Sequence, residues 1–432
     1  MDAGVYNCPV QILISAGEAS GEMYGAQLID ALRRRAAIPV DVVTGLRPVQ
    51  TGQSPVTTVA LQLDFFGAGG EYMRAAGCEI VVDAKDLAVV GITEILSHLP
   101  KILRLYKKLL RAADEKRPAL AIVIDSPAFN WRVARQMRKR GIPVVYYVCP
   151  QFWAWRQGRV KLLRKYVDKA LVIFPFEEKF YRDRGVDATF VGHPLADLPA
   201  PAISRDAYAA ANQLDAAKTW ITLMPGSRRK EVRMNLPTML QAAARLGKDR
   251  LRSGYQFLLP VARTLDASFL EELLAALPTE TRQAASLQGN VLQENVHLVR
   301  DALPALYHSR AGIVASGTAT IEAAIMGTPF VMVYRVSPLT YALGKPRVKV
   351  PFFGMVNLIA EEEIVPELVQ HKFTAENIVA ELNKIIPAGE PRERMIARLA
   401  SVKAKLKLGS GGSLQHPSEM AAQIILQTIG RK

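Results

Sequence analysis

The sequence predicts an α/β protein made of two Rossmann-like, doubly wound domains. Its 432 residues exceed what one hydrophobic core usually supports, and half of them are hydrophobic. Short, nearly continuous apolar runs alternate with segments of helical periodicity, which is typical of parallel sheets covered by helices on both faces. The alternation stops near residue 200 and then begins again, so we expect two such domains.

The first series of strand-like runs predicts an N-terminal domain over residues 1–200. In chain order the runs are VQILISAG, PVDVVTG, CEIVVD, ALAIVID, PVVYYVCP, KALVIFPF and ATFVGHP. The stretches AQLIDALRRR and NWRVARQMRKRG have helical periodicity between them. Residues 44–64 form a polar stretch longer than most strand-to-helix loops, and we interpret it as a surface insertion.

The second series predicts a C-terminal domain over residues 201–375. Its strand-like runs are WITLMPG, YQFLLPVA, NVHLVRD, AGIVASG and PFVMVYR, with helices expected from about Met234 and at ATIEAAIMG. Residues 376–432 are helical and basic, pass through LGSGGSLQHPSE and finish in the amphipathic stretch MAAQIILQTIG. We expect this last segment to pack back on the N-terminal domain or to be exchanged in a dimer.

Charge and cysteine content narrow the class of partner and the compartment. The formal net charge of +15 favours an anionic partner: nucleic acid, a phosphorylated substrate or an anionic bilayer. Three scattered cysteines without a C-x-x-C pair argue against a disulfide framework and a structural zinc site, and favour a reducing compartment. We expect neither a signal peptide nor a transmembrane helix, while association with a membrane surface stays open.

Several common chemistries lack their motifs in this sequence. We find no G-x-x-x-x-G-K-[ST], H-E-x-x-H, G-x-S-x-G or D-x-D, and the six histidines are not paired at ligand spacing. We therefore expect no cofactor and no metal. If a diphosphate binds, the protein itself must neutralise its charge.

Two strand-to-helix junctions in the second domain are suited to a diphosphate, LMPGSRRKEV and ASGTATIEAA. Glycine lets the backbone approach a ligand, and the following helix N-terminus offers free N–H groups. The candidate nucleotide-binding residues are Gly226, Ser227, Arg228, Ser316, Gly317 and Thr318, with Glu322 as an acceptor for ribose hydroxyls. Each loop taken singly is equally compatible with a capped turn, and Glu322 with a solvated helix carboxylate.

The N-terminal domain has its own candidate residues at two junctions. The glycine-rich stretch SAGEASGEMYG, with Gly17, Ser20 and Gly21, lacks the G-x-G-x-x-G spacing, which disfavours NAD but suits a sugar or phosphate. Asp125 follows the apolar run ALAIVID, where a carboxylate is costly unless hydrogen-bonded or useful. We interpret Asp125 as a general base, with a helix N-cap as the alternative.

An aromatic and basic stretch, CPQFWAWRQGRV, follows the run PVVYYV and so should lie at the ligand-binding edge of the first sheet. It presents Trp153, Trp155 and Arg156 as one wall of a site, although either tryptophan can be a packed anchor. Residues 86–111 are amphipathic and basic, as expected of a surface helix packed on the sheet or of a segment that dips into a bilayer interface.

With these residues in view, the chain resembles the lipid A disaccharide synthases, bacterial glycosyltransferases of the GT-B architecture. The resemblance covers nearly the whole chain, and its specificity comes from many motifs in the same order. They include ISAGEASGEMYGAQLI, LAVVGITEIL, IDSPAFN, VCPQFWAWRQGRV, FPFE, FVGHPLAD, LMPGSR, ASGTATIEAAIMGTP and NLIAEEEIVPELVQ.

The resemblance implies a reaction, two substrates and a fold in which the two domains face a cleft. The family transfers 2,3-diacylglucosamine from its UDP conjugate to the 6-hydroxyl of 2,3-diacylglucosamine 1-phosphate, with inversion and release of UDP. Asp125 then becomes the base or an essential acid of the site, and Asn357 joins the UDP side. Asn130 joins the acceptor and lipid side, where Arg156 would meet the acceptor phosphate.

The resemblance also implies a location and an assembly. We expect a cytoplasmic enzyme peripherally associated with the inner membrane, without a specific nucleic acid partner. Members of the family can form homodimers that exchange C-terminal segments.

The sequence departs from the family pattern at two motif positions. Glu22 stands where the first glycine-rich loop usually has Asp, and Ala128 replaces the second acid of the usual Asp-x-Pro-Asp-Phe-Asn. Two alternatives stay open: another GT-B UDP-sugar enzyme, either a transferase acting on a polyprenyl-linked acceptor or a UDP-N-acetylglucosamine epimerase, and a nucleic-acid-binding protein, which the aromatic and basic stretch also suits.

Overall fold

The structure is a computed structural model of the full chain. It describes residues 9–17, 19–37, 40–41, 58–59, 61–87, 92–248, 254–261, 269, 272–273, 291–293, 295–407 and 416–429. Most of the insertion predicted at residues 44–64 therefore lies outside the described residues, as do residues 88–91 of the amphipathic segment.

The chain divides into two compact units, one of residues 1–194 and 406–432 and the other of residues 195–405. The first unit contains a seven-stranded parallel sheet with the order β5-β4-β1-β6-β7-β8-β9, and a small antiparallel pair, β2 and β3. Its strands are β1 Val10–Ala16, β2 Val40–Asp41, β3 Thr58–Val59, β4 Leu63–Gly69, β5 Cys78–Asp83, β6 Leu120–Ile124, β7 Val144–Tyr147, β8 Lys169–Val172 and β9 Ala188–Phe190.

The helices of the first unit follow its strands in alternation, as the periodicity predicts. They are α1 Ala19–Ala36, α2 Glu71–Ala75, α3 Ala84–Leu87, α4 Ile92–Lys116, α5 Pro127–Lys139, α6 Phe152–Trp155, α7 Val160–Tyr166 and α8 Pro175–Arg182, with a 3-10 turn at Gln157–Arg159. No helix in the described part of the chain is both long enough and apolar enough to span a bilayer.

The second unit contains a seven-stranded sheet with the order β12-β13-β11-β10-β14-β15-β16, parallel except where β12 pairs with β13. Its strands are β10 Thr219–Met224, β11 Tyr255–Pro260, β12 Val291–Gln293, β13 Val296–Val299, β14 Ala311–Ala315, β15 Phe330–Tyr334 and β16 Glu367–Val369. Its helices are α9 Arg205–Asn212, α10 Arg229–Lys248, α11 Ala302–His308, α12 Thr318–Met326, α13 Pro338–Gly344, α14 Met355–Ala360, α15 Ala375–Ile385 and α16 Glu390–Leu406, with 3-10 turns at Lys345–Arg347 and Gln370–Lys372.

Each sheet has one point at which the strand order reverses. In the first unit the chain builds outward from β1 in one direction and from β6 in the other, and in the second unit it does so from β10 and β14. The loops after the two adjacent strands then turn to opposite faces of the sheet, which opens a crevice at the carboxyl ends. The Gly17 and Asp125 junctions lie at the first reversal, and the Arg228 and Gly317 junctions at the second.

The last helix of the chain, α17 Pro417–Ile429, packs against α1 in the first unit. Ala421, Ala422 and Ile425 are buried, and the Glu419 carboxylate pairs with Arg34 Nη2 at 2.8 Å and Arg35 Nε at 2.9 Å. The carboxylate lies in the first turn of α17 and the two arginines in the last turn of α1, where each charge is favoured by the helix dipole. Within the C-terminal segment 376–432, helices α15 and α16 belong to the second unit, apart from the terminal Leu406.

Candidate active site

Asp125 lies at the end of β6 in an unusual backbone conformation. Asp125 and Ser126 both have φ of 46°, in the left-handed region that costs a residue with a side chain about 1 kcal/mol or more. Ser126, not Asp125, occupies the N-cap position of α5, and its side chain makes no capping hydrogen bond. The strained turn therefore does not serve helix capping, and it places the Asp125 side chain at the crevice edge of the sheet.

Asn130 holds this turn from one helical turn further on. Its side chain is fully buried, and its Nδ2 lies 2.8 Å from Ile124 O, 2.9 Å from Asp125 O and 3.1 Å from Ser15 O. Its Oδ1 accepts a hydrogen bond from Ser15 Oγ at 2.7 Å. Both the NH2 group and the carbonyl oxygen of the Asn130 side chain, which we predicted on the acceptor side, thus form hydrogen bonds that join β1 to the Asp125 turn.

The glycine-rich junction after β1 comes close to the same turn. A Cβ on Gly17 would lie 2.4 Å from Ser126 Oγ, and one on Gly21 would lie 3.8 Å from Asp125 Cβ. Gly17 therefore permits an approach that a side chain would block. Ser20 is half-buried in the first turn of α1. The Glu22 carboxylate, one of the two departures from the family pattern, accepts a hydrogen bond from the Tyr72 backbone N–H at 2.6 Å and so joins α1 to α2.

The aromatic stretch after β7 forms the short helix α6 and separates into a buried part and an exposed part. Phe152 and Trp153 are buried, whereas Trp155 is 45% exposed. The Arg156 guanidinium carbon lies 3.8 Å from the centre of the Trp155 ring, close enough for a cation–π contact. Trp153 is therefore the packed anchor, whereas Trp155 and Arg156 are accessible. Of the two interpretations that the sequence left open for the tryptophans, packing applies to Trp153 and the wall of a site to Trp155.

Glu177, which is not among the predicted site residues, has a buried carboxylate that joins the aromatic stretch to the start of α8. Glu177 is 0% exposed, and it accepts hydrogen bonds from Trp153 Nε1 at 2.8 Å, Phe174 N at 3.0 Å and Ile173 N at 3.2 Å. Burial raises its pKa from 4.5 to about 7, against the lowering effect of these three donors. The stretch FPFE carries the signal, since an acid at the third position of a helix that begins with proline is a common capping residue.

The raised pKa of Glu177 predicts a pH dependence of stability. Because the folded-state pKa lies above the unfolded value, the contribution of this group is fully present below about pH 4.5 and is lost as the pH rises through about 7. The loss amounts to about 3 kcal/mol for this shift. We expect Glu177→Gln to remove this component. The unfolding free energy of the wild type minus that of the variant, measured in urea, should therefore fall as the pH rises from about 5 to about 8. A constant difference would contradict the assignment.

In the second unit, the junction after β10 brings together Gly226, Ser227 and Arg228. Gly226 has φ of 118°, a conformation that requires glycine, and α10 begins at Arg229 rather than at about Met234 as we had expected. The Glu231 carboxylate lies against this junction: its Oε2 is 3.2 Å from Ser227 N and 3.4 Å from Arg228 N, and its Oε1 is 3.4 Å from Arg228 Nη1. The Glu231 carboxylate thus contacts the same N–H groups that we predicted to bind a phosphate.

The junction after β14 lies beside it in the sheet, because Met224 pairs with Val314 at the ends of β10 and β14. Gly317 has φ of 145°, and a Cβ there would meet no atom within 4 Å, so the space above it is open. Thr318 is exposed at the first position of α12, and Ser316 Oγ donates to Phe353 O at 3.1 Å. These positions suit a ligand at the N-terminus of α12.

Glu322 lies on the second turn of α12 and is half-buried. Burial raises the pKa of its carboxyl, and no described residue donates a hydrogen bond to it. A carboxylate left without a protein donor near an open junction is suited to accept hydrogen bonds from the hydroxyls of a ligand.

Asn357 is connected to the segment at Phe353 and Gly354 through hydrogen bonds to Glu367. Glu367, like Glu177, is not among the predicted site residues. The fully buried amide of Asn357 donates to Val365 O and Glu367 Oε1, both at 2.9 Å, and accepts from Ile364 N and Val365 N at 2.9 and 3.0 Å. Glu367 in turn accepts from Phe353 N and Gly354 N, both at 2.8 Å. These hydrogen bonds fix the segment 353–367, whose Phe353 carbonyl contacts Ser316.

Among the residues that the structure describes, no group of three or more His, Cys, Asp or Glu side chains is arranged to hold a metal ion. The charged side chains near the second-unit junctions include those of Arg228 and Glu231 and, directly after β15, that of Arg335, which donates to Thr238 Oγ1 at 2.9 Å.

Comparison with known proteins decides the family. The family model for lipid-A-disaccharide synthetase matches residues 12–421. The chain belongs to the lipid-A-disaccharide synthetase family. The lipid-A-disaccharide synthase of Koribacter versatilis is 48% identical over 423 residues, covering 98% of this chain and 100% of that protein. The enzyme of the same name from Acidobacterium capsulatum is 46% identical over 96% of both chains.

Solved structures show the fold of this family member at low identity. The UDP-GlcNAc 2-epimerase of Neisseria meningitidis, bound to UDP-GlcNAc, aligns with a TM-score of 0.55 at 11% identity, over 98% of this chain and 100% of that one. The calicheamicin glycosyltransferase CalG4 aligns with a TM-score of 0.55 at 15% identity, over 98% and 99%. The predicted α/β class with two Rossmann-like units of the GT-B type is thereby confirmed.

Proposed function

We propose that this protein is a UDP-sugar glycosyltransferase that makes the lipid A disaccharide. It transfers 2,3-diacylglucosamine from its UDP conjugate to the 6-hydroxyl of 2,3-diacylglucosamine 1-phosphate and releases UDP. The observation that carries the proposal is the match of the family over residues 12–421, together with relatives up to 48% identical that carry the same name. The junctions at the strand-order reversal of each sheet supply residues with the required chemistry.

In this proposal the second unit binds the UDP part of the donor. The backbone N–H groups of Ser227 and Arg228 and the N-terminus of α12 supply hydrogen bonds to the diphosphate. The Arg228 guanidinium stabilises the negative charge that develops on the leaving diphosphate as the glycosidic bond breaks. The Glu322 carboxylate accepts hydrogen bonds from ribose hydroxyls, and Asn357 and Glu367 hold the segment beside them.

The first unit supplies the base for the acceptor. Asp125 takes the proton of the acceptor 6-hydroxyl as that oxygen attacks the anomeric carbon on the face opposite the leaving UDP, which inverts the configuration. The hydrogen bonds to its backbone carbonyl from Asn130 and from Tyr146 Oη, at 2.9 and 2.8 Å, support the position of its turn. Arg156 binds the 1-phosphate of the acceptor.

Peripheral association with the inner membrane belongs to the same proposal, because both substrates carry acyl chains. Helix α4 supports it: Leu103 is 48% exposed, and Lys107 and Lys108 are exposed close to it in the helix. We further propose that the enzyme forms a homodimer. Analytical ultracentrifugation tests this, and sedimentation at the mass of a single chain would contradict it.

The test of the proposed function is acceptor-dependent release of UDP. Purified protein is mixed with UDP-diacylglucosamine in detergent micelles, with and without diacylglucosamine 1-phosphate, and UDP and the disaccharide phosphate are quantified. We expect both products only when the acceptor is present. Equal UDP release in its absence, or turnover of UDP-N-acetylglucosamine instead, would overturn the proposal.

The contact of Glu231 with the diphosphate junction gives a separate prediction. Because its carboxylate competes with phosphate for the N–H groups of Ser227 and Arg228, we expect Glu231→Gln to lower the dissociation constant of UDP about fivefold. Isothermal titration calorimetry with UDP measures this. Glu376→Gln is the matched control, because its exposed carboxylate pairs with Arg245 elsewhere in the same unit. Weaker UDP binding by the Glu231 variant would show that the carboxylate supports the nucleotide site instead.

A further inference from the structure

The buried Glu177 carboxylate has no assigned role in the proposed reaction, yet it is tied to a segment that has one. Its three hydrogen bonds come from two parts of the chain: Trp153 Nε1 in α6, and the backbone N–H groups of Ile173 and Phe174 before α8. A buried carboxylate is costly, so a protein that needed only a helix cap would lose little by using a smaller polar group there.

Two further contacts fasten the same segment to α8. The Trp153 ring packs edge-on against Phe176, with 4.9 Å between ring centres and an angle of 89°. The Tyr181 hydroxyl donates a hydrogen bond to Pro150 O. The segment 149–156, which we call the α6 segment, is therefore held on α8 at both its start and its middle, and Glu177 supplies the single charged contact among these.

The exposed end of the α6 segment carries the Trp155 and Arg156 pair. Trp153 and Trp155 lie two residues apart on one short helix and Arg156 is its C-cap, so the backbone of α6 connects the anchored ring directly to the exposed pair. Desolvation and the nearby charge of Arg159 lower the pKa of Arg156, which indicates that two cations lie close together at this end. An anion bound there would relieve their repulsion.

The α6 segment also lies beside the Asp125 turn. Strands β6 and β7 are adjacent, and Ile124 pairs with Tyr147 at their carboxyl ends. The segment that follows β7 therefore begins next to the residue that follows β6, and Tyr146 Oη donates directly to Asp125 O at 2.8 Å. Asp125 and the Trp155 and Arg156 pair therefore both follow strands that end at the same edge of the first sheet.

We propose that Glu177 is a positioning residue that, through Trp153, sets the Trp155 and Arg156 pair for a phosphomonoester on the acceptor substrate. This inference rests on the proposed function for the identity of the acceptor, but the contact between Glu177 and the α6 segment does not depend on it. Within the described part of the chain, the Cys149 thiol and the Tyr181 hydroxyl are the other ionisable groups that face Glu177; burial raises the pKa of both, and the charge of Glu177 raises them further.

The first experiment reports on position without turnover. The protein is labelled with 5-fluorotryptophan, and its four tryptophans are followed by fluorine NMR. We expect Glu177→Gln to shift the resonances of both Trp153 and Trp155, and the wild-type resonance of Trp155 to move between about pH 6 and pH 8 with the ionisation of Glu177. Asp183→Asn is the matched control, because its exposed carboxylate, at the C-cap of α8, pairs with Lys179 of the same helix. A Trp155 resonance that is unchanged in Glu177→Gln would overturn the inference.

The second experiment separates positioning from general damage. We expect Glu177→Gln to raise KM for diacylglucosamine 1-phosphate about tenfold while KM for the UDP donor stays within about twofold. Trp153→Phe removes the same hydrogen bond and should have the same effect, and the double variant should be no worse than either single one. An equal rise in both KM values would overturn the inference. No turnover by the wild type would instead overturn the proposed function, and the NMR result would still decide the role of Glu177.

Discussion

Asp125→Asn is expected to lower kcat by about 10²- to 10⁴-fold, the range for loss of a general base. Asparagine is the informative replacement, because it tolerates the left-handed conformation that Asp125 adopts at φ of 46° and keeps nearly the same shape. The variant should therefore fold like the wild type and lose only the ability to accept a proton. The measurement is steady-state release of UDP in the presence of the acceptor.

The control for this variant is Asp114→Asn, which removes an exposed carboxylate paired with Arg140 at 2.7 Å in the same unit. An exposed pair of this kind contributes little, so turnover should stay within about twofold of wild type. UDP binding by Asp125→Asn should also be unchanged, since the nucleotide is assigned to the other unit. If Asp125→Asn keeps full turnover, Asp125 is a structural residue of the strained turn and another group is the base.

Arg228→Ala is expected to lower kcat/KM for the UDP donor by about 10²- to 10³-fold, as is typical when one donor to a developing negative charge is removed. The guanidinium is exposed, and within the described part of the junction its nearest carboxylate is that of Glu231 at 3.4 Å. We expect Arg228→Lys to recover only part of the activity, because an ammonium keeps the charge but not the planar pair of donors.

Arg245→Ala is the matched control for this prediction, since Arg245 lies on α10, the helix that follows the Arg228 junction, and pairs with the exposed Glu376. Its removal should leave both kcat/KM and the dissociation constant of UDP within about twofold. The two parameters are measured by steady-state kinetics and by calorimetry. Should Arg228→Ala bind and turn over the donor as the wild type does, the diphosphate does not bind at this junction.

The sequence was sufficient for the fold class and for the location of the glycine-containing junctions that form the candidate site. The continuous apolar runs ALAIVID and AGIVASG contain the buried strands β6 and β14, because an unbroken apolar run is typical of a parallel strand covered on both faces. The glycines at 226 and 317 marked the two strand-to-helix junctions, and the structure shows that both adopt a positive φ there. These features depend on residues that are neighbours in the chain, so a local pattern reveals them.

The contacts that shape the candidate site were not visible in the sequence. Glu177 and Trp153 are 24 positions apart, and nothing local to either one indicates that the indole N–H meets the carboxylate. In the same way, nothing local to Asn357 indicates that its amide donates hydrogen bonds to Val365 O and Glu367 Oε1. The assignments of Asp125, Arg228 and the other site residues to substrate stay predictions until the variants above are measured.

The sequence by itself determined that this chain forms two Rossmann-like sheets, with glycine, hydroxyl and charged residues at their strand ends, because hydrophobic periodicity and turn chemistry are properties of consecutive residues. Only the tertiary structure decided which polar groups are free to meet a ligand. That depends on the contacts that the folded chain makes. The Glu231 carboxylate accepts a hydrogen bond from Ser227 N at the Arg228 junction, the Asn130 amide donates to the Asp125 turn, and Glu177 accepts from Trp153 in the segment that carries the exposed Trp155 and Arg156 pair.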